Sequence, residues 1–287
     1  MKKIGILNLI EHLEETVEGF KNGLTQGGIE GKYIYFNACG REDRLSGYAR
    51  KLLRNNPEII FACSTPSAIA VKDVMGKKYL SVIYAPVFNP SIAGLVDPES
   101  PVLKNFTGVS GMIGSVQKID MMEKVFTPLK KITLFFDPHD KNSTFEREKL
   151  TDEIKKRGLF CEAFPLSGGR IESQILNKID SPVLLCFSLK IEEHLEDWID
   201  RAVELGIPVV ASSKRGAVLG CLAGLYADHY HLGMIAAQKA VQILNGTIPS
   251  DIPVSYPEGC KVVCNYMTAT ALDFDFPLEI SMIGDLC

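Results

Sequence analysis

Short continuous apolar runs alternate with amphipathic stretches along most of the chain. Ile4–Leu9 is almost unbroken, as a strand covered on both faces must be. Leu13, Val17, Phe20 and Leu24 follow on one helical face and stop at Gly27-Gly28. The same alternation predicts strands at Tyr33–Phe36, Ile59–Cys63 and Leu80–Tyr84, with helices through Leu45, Ala49 and Leu52-Leu53 and over Pro66–Val74. Continuous apolar strands separated by helices indicate a parallel sheet covered on both faces.

Ala85–Lys104 breaks the rhythm. Pro86, Pro90, Pro98 and Pro101 predict a long loop there, and long loops in compact folds are usually functional. After Phe106–Ser110 the pattern restarts. Val116, Ile119, Met122 and Val125-Phe126 line one helix face, and Ile132–Phe136 is a strand. Further helix–strand units place strands near Leu159–Phe164, Val183–Phe187 and Ile207–Ala211. Val218–Leu225 is apolar and Gly-rich. Leu232, Ile235, Ala236, Ala240, Ile243 and Leu244 mark a long helix that stops at Asn245-Gly246. Lys261–Cys264 is a last strand and Met267–Leu272 a short helix.

The expected fold is α/β, with two Rossmann-like lobes built on parallel sheets. The N-terminal lobe takes residues 1–111 plus about 229–256, and the C-terminal lobe 112–228 plus about 257–287. Ligands of open parallel sheets sit beyond the carboxyl ends of the strands. The strand-end loops of both lobes are therefore expected to line one ligand cleft.

Length fits this division, since 287 residues suggest about two domains at about 150 residues each. A net charge of −4 argues against nucleic-acid partners, which select a basic face. The longest apolar stretches are too short to span a bilayer. Met1-Lys2-Lys3 leads into a brief apolar run and then Glu11, Glu14 and Glu15, which reads as a strand and a helix start, not a secretory signal. The expected location is periplasmic, or extracellular and membrane-anchored, if an export signal has been removed, and cytoplasmic if the chain is complete as written. Among the eight cysteines there is no Cys-x-x-Cys pair, so Cys39, Cys63, Cys161, Cys186, Cys221, Cys260, Cys264 and Cys287 read mostly as buried small hydrophobes.

The chemistry lies in the strand-end loops. Ser64-Thr65-Pro66-Ser67 puts hydroxyls and a proline at a helix start, where exposed amides bind anions such as carboxylate; the same hydroxyls also serve as a plain helix cap. Asn142-Ser143 carries the same two readings. Glu11-His12 follows the first strand, and no Ser, Cys and acid arrangement surrounds His12, which reads as a polar cleft or cap residue. Tyr84, Pro86 and Asn89 follow the fourth strand. Ser188 and Lys190, then Ser213 and Lys214, follow strands of the second array, although Lys190, Lys214 and Arg215 also read as ordinary solvated charges. His229 and His231 beside Asp228 lack a third ligand at useful spacing, so no metal site is assigned. No phosphate-binding glycine loop is present. No catalytic residue and no cofactor are expected.

Ile10-Glu11-His12, Ala62–Ala68, Phe106–Ser110, Asn142-Ser143, Ala223–Gly233 and Val241–Pro253 together resemble, nearly end to end, the ABC-transporter substrate-binding family that includes tryptophan/tyrosine-type binding proteins. The resemblance implies a type I periplasmic-binding-protein fold with three crossing segments and hinged closure. It also implies delivery of a small, amino-acid-like solute, aromatic in the best-understood members, to a membrane permease and its ATPase; the chain is expected to be a monomer. Glu11, His12, Ser64, Thr65, Ser67, the Tyr84–Asn89 loop, Asn142, Ser143 and Ser188 would face the ligand.

The chain departs from the family where relatives carry acids. Ser188-Leu189-Lys190 stands for Thr-Asp-Asn, and Ser212-Ser213-Lys214-Arg215 for Ser-Asp-Thr-Asp. Acids there would pair with a ligand ammonium. Their replacement leads to the expectation of an anionic or neutral ligand, not an ordinary α-amino acid. Two other classes stay open. Ala62-Cys63-Ser64-Thr65 and Leu219-Gly220-Cys221 resemble the paired cysteines of glutamate/aspartate racemases and maleate isomerases, at a wider separation than that family implies. A ligand-sensing regulatory domain of the same fold is the other.

Overall fold

The computed structural model describes residues 1–76, 79–97, 99–100 and 102–286. Pro98, Pro101 and Cys287 lie outside the described residues. The chain divides into two compact units, Met1–Met112 with Ala227–Glu258, and Ile113–Tyr226 with Gly259–Cys287.

The first unit alternates β1 (Lys2–Asn8), α1 (Glu14–Gln26), β2 (Gly31–Asn37), α2 (Leu45–Arg54), β3 (Ile59–Cys63), α3 (Thr65–Met75), β4 (Ser81–Val87) and β5 (Phe106–Ser110). Its five strands pair in the order β2-β1-β3-β4-β5, all parallel. β3 is buried at every position, which explains why Ile59–Cys63 reads as a continuous apolar run. Leu45, Ala49, Leu52 and Leu53 of α2 face the sheet, while Lys51 and Arg54 in its last turn complement the helix dipole.

The proline rule ended the fourth strand too early. β4 runs through Pro86 to Val87, and its pairing with β5 shifts register between Tyr84 and Val87. A proline has no N–H to give the ladder, and the irregularity places it where none is needed.

The second unit contains α4 (Ser115–Val125), β6 (Lys131–Phe136), α5 (Lys141–Lys156), β7 (Phe160–Pro165), α6 (Ser173–Leu176), β8 (Val183–Leu185), α7 (Leu189–Glu193), α8 (Ile199–Glu204), β9 (Val209–Ala211), α9 (Lys214–Val218) and β10 (Ala223–Tyr226). The chain then builds α10 (His229–Leu244) in the first unit. It finishes in the second with β11 (Lys261–Cys264), α11 (Tyr266–Ala271), α12 (Leu278–Ile283) and β12 (Asp285–Leu286). The second sheet has the order β12-β11-β10-β9-β8-β6-β7. β11 runs antiparallel to β10 and the remaining pairs are parallel. The short strands β8 and β9 stop before Phe187 and start after Pro208, so the apolar runs overstate them at these ends.

α10 covers the first sheet beside α1. Phe20 of α1 stacks on Phe61 of β3 with ring centroids 4.0 Å apart. Leu232, Ala236, Ala237 and Ala240 of α10 are buried with it. Gly19 faces the Tyr230 carbonyl and Gly233 the Thr16 carbonyl so closely that a Cβ at either would overlap main-chain oxygen. Small residues at the crossing thus set the helix separation. Gly19→Val is expected to cost about 2–3 kcal/mol through overpacking against immovable backbone, read as a lowered melting temperature by circular dichroism. An unchanged melt would contradict the close contact.

Candidate functional site

Strand order determines where each sheet opens. In the first, β1 is flanked by β2 on one side and β3 on the other, so successive connections leave in opposite directions at the β1/β3 boundary. In the second, β6 lies between β7 and β8 and the same reversal falls at the β6/β8 boundary. Parallel sheets bind ligands beyond the carboxyl ends of the strands at such points.

At the first boundary, Ser64 follows β3 with φ 120° and ψ 161°, a region that side chains other than glycine rarely occupy. It is nearly buried, and its Oγ caps α3 by accepting from Ser67 N at 3.2 Å while lying 2.8 Å from Ser67 Oγ. Holding a serine there costs on the order of 1–3 kcal/mol. Thr65 is half-buried and Ser67 fully buried. Beside them, Asn8 ends β1 as a completely buried amide. Its Nδ2 donates to Glu14 Oε1 at 3.0 Å, and Asn37 Nδ2 donates to the same oxygen at 2.9 Å. Tyr35 also donates to Glu14, and burial followed by this carboxylate pushes its phenol up to about 12. The sequence reading missed this network, although Asn8 and Asn37 signalled it as polar residues closing otherwise apolar strands.

Glu11 and His12 form an exposed turn directly after β1. His229, at the start of α10, has its pKa lowered by burial first and by the charge of His12 second, with Glu15 and Asp228 opposing. Tyr84 is fully buried in the core under α2 and α3, with its hydroxyl lacking a hydrogen-bond partner among the described residues. Pro86 is half-buried. Asn89 turns inward, its Oδ1 accepting from Ser91 N and Ile92 N, both at 3.1 Å.

At the second boundary, Asp137 follows β6 and Ser188 follows Phe187 after β8. The Ser188 hydroxyl donates to Asp137 Oδ2 at 3.4 Å. Ser143 is fully buried and its Oγ accepts from Asp137 N at 3.0 Å. The cap of α5 is Asp140, whose Oδ1 accepts from Asn142 N at 2.8 Å and Ser143 N at 3.3 Å. The capping alternative for Asn142-Ser143 is thereby corrected: an aspartate two residues upstream does the capping. The Asn142 Oδ1 is buried without a hydrogen-bond partner among the described residues.

Behind this edge, Lys118 of α4 is buried in an ion pair with Glu146 of α5 and donates to Ser212 Oγ at 2.7 Å. Glu146 Oε2 accepts from Phe187 N at 2.5 Å, and Ser212 donates to Leu185 O. These bonds pin the ends of β8 and β9. Ser213 caps α9, accepting from Gly216 N at 3.0 Å. Its hydroxyl also bonds Glu192, whose pKa is raised by burial first, partly offset by Ser213 and Arg215. Lys190 is exposed and paired with Glu193 at 2.6 Å. Lys214 is exposed above the Tyr226 ring, 5.7 Å from its centroid.

Cys63 and Cys221 are both fully buried, each in the core of its own unit, and burial pushes both thiols up. A proton-shuttling thiol pair needs accessible, readily ionised sulfur, so the cysteine-pair racemase alternative is set aside. A shallow cavity of about 430 Å³ lined by Phe126, Pro128, Lys131, Pro182 and Phe274 opens at the amino ends of β6 and β8, away from the polar carboxyl edge. Among the described residues, no helix is long and apolar enough to cross a membrane.

Two βα units with buried polar side chains at the switch points of their sheets define a class of small-solute receptors. The chain belongs to the ABC transporter substrate binding protein family, whose model matches residues 3–285. It is 27% identical over 287 residues to a tyrosine-binding protein of Clostridioides difficile, covering 95% of this chain and 81% of that protein. A ligand-free, open substrate binding protein with adhesive properties from Clostridium difficile superposes with TM-score 0.84 at 25% identity, covering 100% of this chain and 99% of that one. An ABC domain from Streptococcus pneumonia in complex with L-Trp gives TM-score 0.75 at 23% identity, with 99% of both chains covered. The fold is that of the type I periplasmic-binding proteins, and the chain is an ABC-type solute-binding protein.

The depressed His229 pKa has a consequence for stability. With its folded-state value below the unfolded one, near 6.5, its contribution is complete above that pH and is lost as pH falls toward the folded value. The melting temperature is expected to drop between about pH 7.5 and about pH 5.5, and His229→Gln to flatten that dependence. An unchanged pH profile in the variant would contradict this role.

Proposed function

We propose that this protein captures a small, amino-acid-like solute by hinged closure, holding it with carboxyl-edge loops of both units, and passes it unchanged to a membrane permease and its ATPase. It works as a monomer outside the cytoplasm, in the periplasm or anchored at the cell surface. The supporting observation is the pairing of switch points with buried polar groups: Asn8 and Ser64 in the first unit, Asp137 and Ser188 in the second. Ser64 carries the most weight. A strained backbone persists when surrounding structure enforces it, and such residues cluster at ligand clamps.

Of the residues read from sequence, Glu11, His12, Ser64, Thr65, Ser67, Asn142, Ser143, Ser188 and Ser213 lie at carboxyl edges and are assigned to the binding face. Asn89 and Pro86 border it through the loop after β4. Tyr84 supports that loop from the core. Lys190 and Lys214, both exposed, belong at the rim. The relatives that bind tyrosine and L-Trp support a solute of that size.

A thermal-shift screen of amino acids, related amines, carboxylates and sugars tests the proposal. A solute at about a hundred times its dissociation constant adds about 2.7 kcal/mol of stability. At least one solute is expected to raise the melting temperature. Ser64→Gly, which relieves the positive φ, is expected to melt no lower than wild type while giving a smaller solute-induced shift. No shift with any solute would contradict the proposal.

A further inference from the structure

Asp137 stands apart from the other buried carboxylate of the second unit. Glu146 is neutralised by Lys118 inside the core. Asp137 is only 2% exposed, and among the described residues no lysine, arginine or histidine nitrogen makes an ion pair with it. Its Oδ1 accepts from His139 N at 2.9 Å, closing a local turn, and among the described residues its Oδ2 has only the long 3.4 Å contact from Ser188. Burying a carboxylate without a counter-charge is costly, and buried charges are ordinarily paired.

Two independent features place this group where a solute would supply the missing charge. Asp137 directly follows β6 and Ser188 lies in the segment just after β8, the two strands that flank the second sheet's switch point, the position at which parallel sheets bind ligands. Asn142, next in the chain to the Ser143 that accepts from Asp137 N, buries an Oδ1 with no hydrogen-bond partner among the described residues. Unused lone pairs thus remain on Asp137 Oδ2 and Ser188 Oγ, which touch, and on Asn142 Oδ1 in the first turn of α5, acceptors of the kind that the N–H donors of an alkylammonium group need.

We propose that Asp137 receives a cationic nitrogen of the solute, with Ser188 and Asn142 as further acceptors. The assignment rests on the solute-binding reading above and adds the charge of the ligand to it. It reverses the expectation drawn from sequence, in which Lys190 and Lys214 replace family acids and lead to an anionic or neutral ligand. Lys190 is compensated by Glu193, and Lys214 is exposed over Tyr226. An acid from a different strand end takes over the task.

Calorimetric titration of the full chain tests this with the twenty L-amino acids, their decarboxylated amines and their desamino acids. Wild type is expected to bind at least one amine-bearing compound and to bind its desamino counterpart far more weakly. Asp137→Asn retains the oxygen that accepts from His139 N and removes only the charge. It is expected to weaken the amine-bearing compound by roughly 10- to 100-fold, as loss of a charge-assisted hydrogen bond does, and to leave its melting temperature close to that of wild type. Equal binding of an amine and its desamino counterpart by wild type overturns the assignment and needs no variant. So does Asp137→Asn binding within about twofold of wild type. If only desamino acids bind, the assignment falls and the solute-binding reading stands. If nothing in the panel binds, both fall.

Discussion

The close approach of α1 and α10 governs the path of the whole chain. Gly19 and Gly233 allow the two helices to meet at main-chain distance, and no larger residue fits either position. α10 begins only after β6 to β10 are complete, so the contact draws the chain back into the first unit. From there it re-enters the second at Gly259 and adds β11 against β10 from the opposite direction. A strand reached by a simple helical crossover over its own sheet would run parallel. This one arrives by way of the other unit and does not. The second and third passages of the chain from unit to unit follow from where α10 packs.

With the two sheets built, their strand orders locate the chemistry. Each order reverses once, and each reversal is bordered by polar side chains in a place that costs free energy. Ser64 occupies an unfavourable backbone region and Asn8 is a completely buried amide. Asp137 is a buried acid without an ion-pair partner among the described residues. The buried polar groups directly behind the second edge are matched. Lys118, Glu146, Ser212 and Phe187 satisfy one another and hold the ends of β8 and β9 in place. A satisfied network supporting a less satisfied edge is the arrangement expected of a preorganised binding face.

The fold was legible because burial on both faces forces strands such as Ile59–Cys63 to be continuously apolar, while α1 and α10 show one apolar stripe each. Pro86 misled, since the proline rule holds for a regular ladder and β4 is irregular there. β11 was readable as a strand, but its direction was not, because direction depends on where α10 packs. The site was half legible. Ser64 and Ser188 are visible as polar residues at strand ends. Asp137 sits equally at a strand end but reads like one more turn aspartate in Asp137-Pro138-His139-Asp140, and only burial separates it from Asp140, which caps α5. The missing family acids after β8 and β9 drew attention to lysines that the fold leaves exposed.

The central claim is that one solute engages the carboxyl edges of both sheets. Hydrogen–deuterium exchange with and without a bound solute tests it most directly, because it reports each backbone segment separately. The account predicts that solute slows exchange in the segments after β1 and β3 and, together with them, in the segments after β6 and β8, including the first turn of α5. Protection confined to one unit, or appearing at the amino ends of the strands near Lys131 and Pro182, would contradict it.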